Sequence, residues 1–281
     1  MTDAAFAFGA LHPDQWLDIL KRSVAEPVID GVAMARFPDE QVQISFNGTA
    51  HEAAMVQAHA LWLYADGLSR ALGTPLGRQS VVLDVGCGWG RVTRLFMKDV
   101  PAAQIFGVDI NPAAIALCRD LGVPGTFTQV APGASLPFAD GAVSTVTAFS
   151  VFTHLPETVA TALASEIARG LRPGGLAVIT VEDRSFLELI AHPDAPQWGE
   201  RWRLLSQHRH QLDDLLRRHG AGDYIYLVTN DGPILSADVY GDAVVPKAWI
   251  EANWTRFADV SAYVPASPPI HQAVVVMRKR G

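Results

Sequence analysis

The sequence predicts an α/β fold in which a mostly parallel sheet is covered by helices on both faces. Two observations carry that expectation. From Ser80 to Val181, short runs of aliphatic and β-branched residues alternate with longer segments of helical pattern, the rhythm of successive βαβ units. Of the 281 residues 49% are hydrophobic and 18% charged, enough apolar surface for a sheet buried on both sides.

Taken in order, "LWLYADGLSRAL" (Leu61–Leu72) reads as an amphipathic helix and "GTPLGR" as a turn. "SVVLDV" is the first buried strand, followed by an expected helix over Arg91–Val100. "QIFGVD" is the second strand, and the helix after it opens with Asn111 as N-cap and Pro112 in its first turn. "GTFTQV" and "AVSTVTAF" are the third and fourth strands, Pro156–Leu171 is a helix ending before "RPGG", and "LAVITV" is the fifth strand. After Val181 the rhythm changes. A helix is expected over Ser206–His219, then a hairpin pairing "YIYLVT" with "ILSADVY" across "NDGP". Pro246–Arg256 reads as helix, "FADVSAYV" as extended chain and "HQAVVVMRK" as the last strand. The organisation expected is an N-terminal helical extension or lid over residues 1–75 and one domain over 76–281, with 183–242 as an insertion.

The formal net charge of -7 argues against a general affinity for nucleic acid, whose phosphates it would repel. Two cysteines, Cys87 and Cys118, exclude a disulfide-built scaffold. The start "MTDAAFAFGALHPDQW" lacks a basic, apolar leader, and no apolar run approaches the roughly 20 residues that span a bilayer. The expectation is a cytoplasmic protein without a membrane partner; the oligomeric state is not read from the sequence.

"LDVGCGWGR", Leu83–Arg91, places Gly86, Gly88 and Gly90 directly behind a strand. Glycines there let a ligand approach the main chain. The spacing is one residue tighter than the G-x-G-x-x-G of dinucleotide sites, and Asp84 stands at the strand end. A carboxylate so placed disfavours a pyrophosphate and suits a ligand with positive charge, such as the ammonium and sulfonium of S-adenosylmethionine.

At these residues the sequence resembles the class I S-adenosylmethionine-dependent methyltransferases of small-molecule type. "VLDVGCGWGR" is similar to the family's first motif and "GVDIN" to its second, where the acidic residue, here Asp109, takes the ribose hydroxyls. "LPFADGAVSTVTAFSVFTHL" and "EIARGLRPGGLAVITVE" resemble the segments through the fourth and fifth strands. The resemblance implies a Rossmann-like seven-stranded, mostly parallel sheet. It also implies S-adenosylmethionine as cofactor, bound by Asp84, Gly86, Cys87, Gly88, Gly90, Asp109, Ile110, Ala134, Ser135, Phe149 and Ser150. One departure is Pro132, where family members often carry an aspartate for adenine; main-chain groups around Ala134–Ser135, or Gln129, then take that role.

Phe149 and Ser150 end the fourth strand, where sulfonium and methyl acceptor should meet; Phe149 is either an aromatic face for the cation or core. Trp89 and Arg91 either flank the methionine tail or open the helix. His154 is a candidate general base, because imidazole titrates near neutrality, or else a packing histidine; Glu182 and Asp183 are alternative bases or acceptor contacts. No metal site is expected: His208 and His210 diverge on a helix, which leaves "HRHQLDDLLRRHG" a solvated face. "FNGTAHEA" reads as a turn capping a helix through Asn47 or Thr49, with Thr49 and His51 as lid candidates. Trp198, Trp202, Tyr224 and Tyr226 are expected to line an apolar acceptor pocket. "AFSVF" lacks the Asn/Asp-Pro-Pro-aromatic tetrad of nucleic-acid methylases. The expected acceptor is a small organic molecule, methylated at oxygen, with carbon and nitrogen left open as receiving atoms. The alternatives are a nicotinamide-dependent oxidoreductase and a catalytically silent cofactor binder.

Overall fold

The computed structural model describes residues 7–192, 199–229 and 239–281. Its centre is a seven-stranded sheet built from β3 (Val82–Val85), β4 (Ile105–Asp109), β5 (Thr126–Gln129), β6 (Val143–Ala148), β7 (Leu171–Val181), β10 (Asp259–Val264) and β11 (Ala273–Arg278), in the order β10-β11-β7-β6-β3-β4-β5. The five strands from β3 to β7 run parallel; β11 pairs antiparallel with β7 and with β10. The chain steps outward from β3 to β4 and β5, then returns to the other side of β3 as β6. The carboxyl ends of β3 and β6 therefore flank the switch point, where open α/β sheets form a crevice.

Alternation along the strands divides the core between the two faces. Val82, Val178, Val274 and Val276 face a cluster with Trp16, Trp62, Trp89 and Phe96. Leu83, Val85, Ala177, Ile179 and Val275 face Phe152, Ile167, Trp249 and Trp254. The first face is covered by α1 (Pro13–Arg22) and α3 (His51–Ala71), with α4 (Pro112–Asp120) following β4. The second is covered by α5 (Glu157–Gly170) and α9 (Lys247–Trp254). In α4 the Asn111 side chain accepts from Ala113 N with Pro112 behind it, as expected.

N-terminal to the sheet, β1 (Val28–Ile29) and β2 (Val32–Ala33) form a short hairpin, and α2 (Glu40–Asn47) precedes α3. After β7 the chain forms α6 (Arg184–Ala191), α7 (Gly199–Ser206), α8 (Leu212–Ala221), β8 (Ile225–Leu227) and β9 (Asp242–Val244). Phe186, Leu187, Ile190, Leu205, Leu215, Ile225 and Val244 give this region its own apolar cluster.

Four local expectations are corrected. The segment after the glycine loop is a 3-10 helix over Thr93–Lys98 rather than an α-helix. Adjacent β-branched Val92 and Thr93 disfavour α-helix there, and the Thr93 hydroxyl is drawn to Asp84. The expected helix over Ser206–His219 is split into the end of α7, a 3-10 turn at Arg209–Gln211 and α8. The partner of β8 is β9, with Ile225 opposite Val244, so the pairing runs to 242–244 rather than to "ILSADVY"; residues 230–238 of that expected hairpin lie outside the described residues. Finally, α3 is not capped by Asn47 or Thr49. Its N-cap is Ala50 without a side-chain bond, and the His51 N–H is instead taken by Gln43 Oε1 at 2.8 Å.

Candidate active site

The glycine loop leaves the end of β3 and turns back beneath β4. Gly86 N and Cys87 N both donate to Val108 O, at 2.8 and 3.1 Å, and Gly90 N donates to Cys87 O at 2.8 Å. Gly86, Gly88 and Gly90 hold φ of 67°, 53° and 78°, which disfavours any residue with a Cβ. The space they leave is filled by protein as well as by cavity. A Cβ on Gly86 would lie 2.4 Å from Val151 Cγ2, and one on Gly90 would lie 2.7 Å from Val123 Cγ1. Gly90 thus serves packing and does not line the cavity. Gly88 faces Phe46, whose Cδ1 would be 3.3 Å away.

Around this loop lies a cavity of about 470 Å³. It brings together Asp84, Gly86, Cys87, Gly88, Asp109, Ile110, Ala134, Phe149 and Ser150 from the sequence-derived set. Ser135, like Gly90, is off its wall, and so are His154 and Glu182.

Asp84 is buried. Its Oδ2 accepts from Thr93 Oγ1 at 2.6 Å and its Oδ1 from Thr147 Oγ1 at 2.8 Å. Burial pushes its carboxyl up to about 6, opposed by the two hydroxyls and by Arg91. Asp109 accepts from Gly88 N at 2.9 Å through Oδ2 and from Asn111 N at 2.9 Å through Oδ1. Burial raises its pKa while these main-chain N–H groups lower it. The second carboxylate therefore clips the end of β4 to the glycine loop, and each oxygen retains a lone pair for a vicinal diol.

Past β6, Ser150 adopts φ of 56°, a strained conformation of the kind found at functional sites. Its N–H donates to Thr180 Oγ1 at 2.8 Å. Its hydroxyl donates to Gln272 Oε1 at 3.0 Å, and Gln272 Nε2 donates to Glu182 Oε1 at 3.1 Å. Glu182 is thus linked to the cavity wall through Gln272. His154 stacks on Tyr240 at 4.5 Å, with Nδ1 2.8 Å from Gly241 O and 3.6 Å from Asp242 Oδ1. Tyr240 lines the cavity and His154 sits behind it.

Several expectations about the walls are corrected. Tyr224 packs edge-on to Trp249 and donates its hydroxyl to Leu155 O, away from the cavity, and Tyr226 does not line it either. Trp198 lies outside the described residues, as does the Trp202 side chain. The region after β7 contributes Val239 and Tyr240 instead. Thr49 and His51 are not on the wall, whereas Ser45, Phe46 and Asn47 of α2 are. Gln129 turns back to Ile110 O at 3.2 Å, and Pro132 does line the cavity. Val151, Leu155 and Val159 extend it along an apolar side. Sequence reading missed Phe46, Asn47, Val151, Leu155 and Tyr240; only their position beside motifs offered any sign of them.

These features suit one group. Positive-φ glycines, two buried carboxylates and an apolar arm surround one cavity, a lining with the chemistry for a cationic tail, a diol and a base.

Residues 82–175 match a family described as "Methyltransferase domain". Over these residues the chain is similar to methyltransferase domains, and a class I S-adenosylmethionine-dependent fold is in keeping with that likeness. The cofactor that a domain of this kind implies is S-adenosylmethionine. Over 107 residues the chain is 37% identical to an uncharacterized methyltransferase of Mycobacterium sp. (strain KMS), covering 38% of this chain and 40% of that one. Over 119 residues it is 34% identical to trans-aconitate 2-methyltransferase of Methylobacterium nodulans, covering 42% and 43%. The chain thus spans about two fifths of the length of the curated relatives it matches. The fold is shared with magnesium protoporphyrin IX methyltransferase from Synechocystis, solved with bound S-adenosylhomocysteine. There the TM-score is 0.51 at 13% identity, covering 85% of this chain and 93% of that one.

Proposed function

We propose that the whole chain transfers a methyl group from S-adenosylmethionine to a small organic acceptor, at oxygen. The observation that supports this best is the cavity at the switch point. Asp84 and Asp109 guard its polar end, and Phe149 and Ser150 stand where β6 ends. When bound, the cofactor supplies an electrophilic methyl on a sulfonium. The glycine loop, Asp84 and Asp109 hold it, while α2 and Tyr240 limit the access of water. Held reactants can save roughly 7–11 kcal/mol of barrier.

Oxygen as the receiving atom is supported by the groups near Ser150. A hydroxyl must lose its proton on methylation, and both Glu182, through Gln272, and His154, beside Asp242, lie close to the end of β6. A small acceptor is supported by the net charge of -7, which disfavours nucleic acid. It is also in keeping with the trans-aconitate 2-methyltransferase among the relatives. No membrane partner is part of this reading; among the described residues no helix is long and apolar enough to cross a membrane.

The test has two parts. Calorimetry with S-adenosylhomocysteine and with NAD should show binding of the first only; binding of NAD alone would favour an oxidoreductase. Methyl-13C cofactor offered with hydroxylated and amine acceptor panels should then yield O-methyl resonances. N-methyl or C-methyl products would displace oxygen as the receiving atom, and binding without turnover on any panel would favour the silent binder.

A further inference from the structure

We propose that the chain binds a small tetrahedral oxyanion, phosphate or the phosphate end of a monoester, in a second cavity at the amino edge of the sheet. This cavity lies at the opposite end of the strands from the switch point, and its lining shares no residue with the cofactor cavity.

Strand register builds it. Thr145 of β6 lies opposite Leu176 of β7, and Leu176 lies opposite Arg278 of β11. Side chains in one cross-strand row rise on the same face, and Leu176 faces the cluster under α1 and α3. Thr145 and Arg278 therefore rise toward α3, whose last turns supply Ser69. The opening of β7, "RPGG", shifts register against β6 and brings Arg172 to the same space. That space is about 60 Å³, room for one oxyanion and too little for a nucleotide.

The donors around it are not engaged elsewhere. Ser69 and Thr145 are only 3% and 2% exposed, yet among the described residues neither hydroxyl makes a hydrogen bond. A buried hydroxyl without a partner is unfavourable until a ligand reaches it. Arg172 and Arg278 line the same cavity, and among the described residues neither closes an ion pair or a side-chain hydrogen bond. No carboxylate is on the lining. The two guanidiniums do not serve as caps for α3, because its last carbonyls are taken by main-chain donors. Leu72 N donates to Leu68 O, Thr74 N to Ser69 O and Gly73 N to Arg70 O. Two planar forks and two hydroxyl donors, with no acid among them, match a compact group that carries several oxygens and negative charge. A metal ion or an ammonium would be repelled there.

Calorimetry on the full chain, at constant ionic strength, tests the site with inorganic phosphate, phenyl phosphate and acetate. Phosphate should bind saturably, and acetate, planar and singly charged, at least about tenfold more weakly. Arg172→Gln and Arg278→Gln should each weaken phosphate binding by about tenfold, the scale of one charge-assisted hydrogen bond. Thr145→Val, which keeps the volume, should weaken it by a smaller factor. Arg280→Gln removes a charge that pairs with Asp259 away from the cavity, and should leave affinity within about twofold of wild type. If Arg172→Gln fails to fold, Arg278→Gln, at the exposed end of β11, carries the comparison. Phenyl phosphate binding as tightly as phosphate assigns the site to a monoester and weaker binding to the free ion; either supports it. No saturable phosphate binding, acetate binding as tight as phosphate, or equal losses in Arg280→Gln and Arg278→Gln overturns the proposal.

Discussion

Trp89 Nε1 donates to Asn47 Oδ1 at 2.7 Å, across 42 positions of sequence. The bond joins the middle of the glycine loop to the last residue of α2, and Trp89 itself is 1% exposed. Phe46, one residue earlier, faces Gly88. The short helix before α3 is thereby attached to the loop it covers, and Ser45, Phe46 and Asn47 become part of the cavity wall.

Removing that attachment should loosen the cover. Asn47→Ala leaves a buried indole N–H without its acceptor, a loss of about 1–3 kcal/mol. The expected outcome is weaker binding of S-adenosylhomocysteine and faster amide exchange over residues 40–50, with exchange in β3 and β4 unchanged. Asn47→Asp keeps an acceptor and should retain most of the affinity. Unaltered exchange in the alanine variant would show that α2 is held by other contacts.

The glycines make a second, separable prediction. Gly90→Ala is opposed twice, by φ of 78° and by Val123 at 2.7 Å. It should destabilise the chain by at least about 1–2 kcal/mol from the backbone term alone. Val123→Ala in the same chain should remove the clash and recover part of the loss by thermal melting, but not the backbone part. Full recovery would show that the left-handed conformation contributes little; no recovery would show that Val123 is not the neighbour that matters.

The parallel strands were legible because β3, β6 and the Leu176–Val181 half of β7 are buried on both faces and are rich in β-branched and small residues. The carboxylates at the ends of β3 and β4 were legible for a related reason, since a strand ending in aspartate before glycine has few other readings. What the sequence concealed depends on contacts between distant residues. Arg91 finds Gln57 34 positions away, and Trp89 finds Asn47. Gln43 replaces the missing side-chain cap of α3 from within the preceding helix. The position of β9 was misjudged because "ILSADVY" has a stronger strand pattern than Asp242–Val244, whereas Val244 also bridges to Glu182 at the end of β7. That second contact overrides local propensity.

Asp109 is expected to have two roles that can be separated. Asp109→Ala removes the acceptors for Gly88 N and Asn111 N as well as those for a ribose diol. Affinity for S-adenosylhomocysteine should fall by about 1–3 kcal/mol. Adenine alone, which has no ribose, should lose only what the distorted loop costs. If calorimetry finds the two ligands equally affected, Asp109 acts through the loop and not through the diol.

Asp84 gives the chain a defined pH dependence. Its folded pKa of about 6 lies above the ordinary carboxylate value, because burial disfavours the charge. Between that ordinary value and about 6, the folded state holds a proton that the unfolded state has released. Stability from this group is therefore present at acid pH and is lost as pH rises through about 6. Asp84→Asn should accordingly raise the melting temperature of the ligand-free chain at pH 8, with an advantage that shrinks as pH falls through about 6 toward the ordinary carboxylate value. Cofactor binding should run the other way, since only the ionised carboxyl attracts an ammonium and a sulfonium. Affinity for S-adenosylmethionine should weaken as pH falls through about 6 in wild type, with a flatter profile in Asp84→Asn. Opposite pH slopes for stability and for binding, both removed by one substitution, are not expected of a carboxylate that serves packing alone. A wild-type binding profile that is level from pH 8 to pH 5 would remove Asp84 from the cation site.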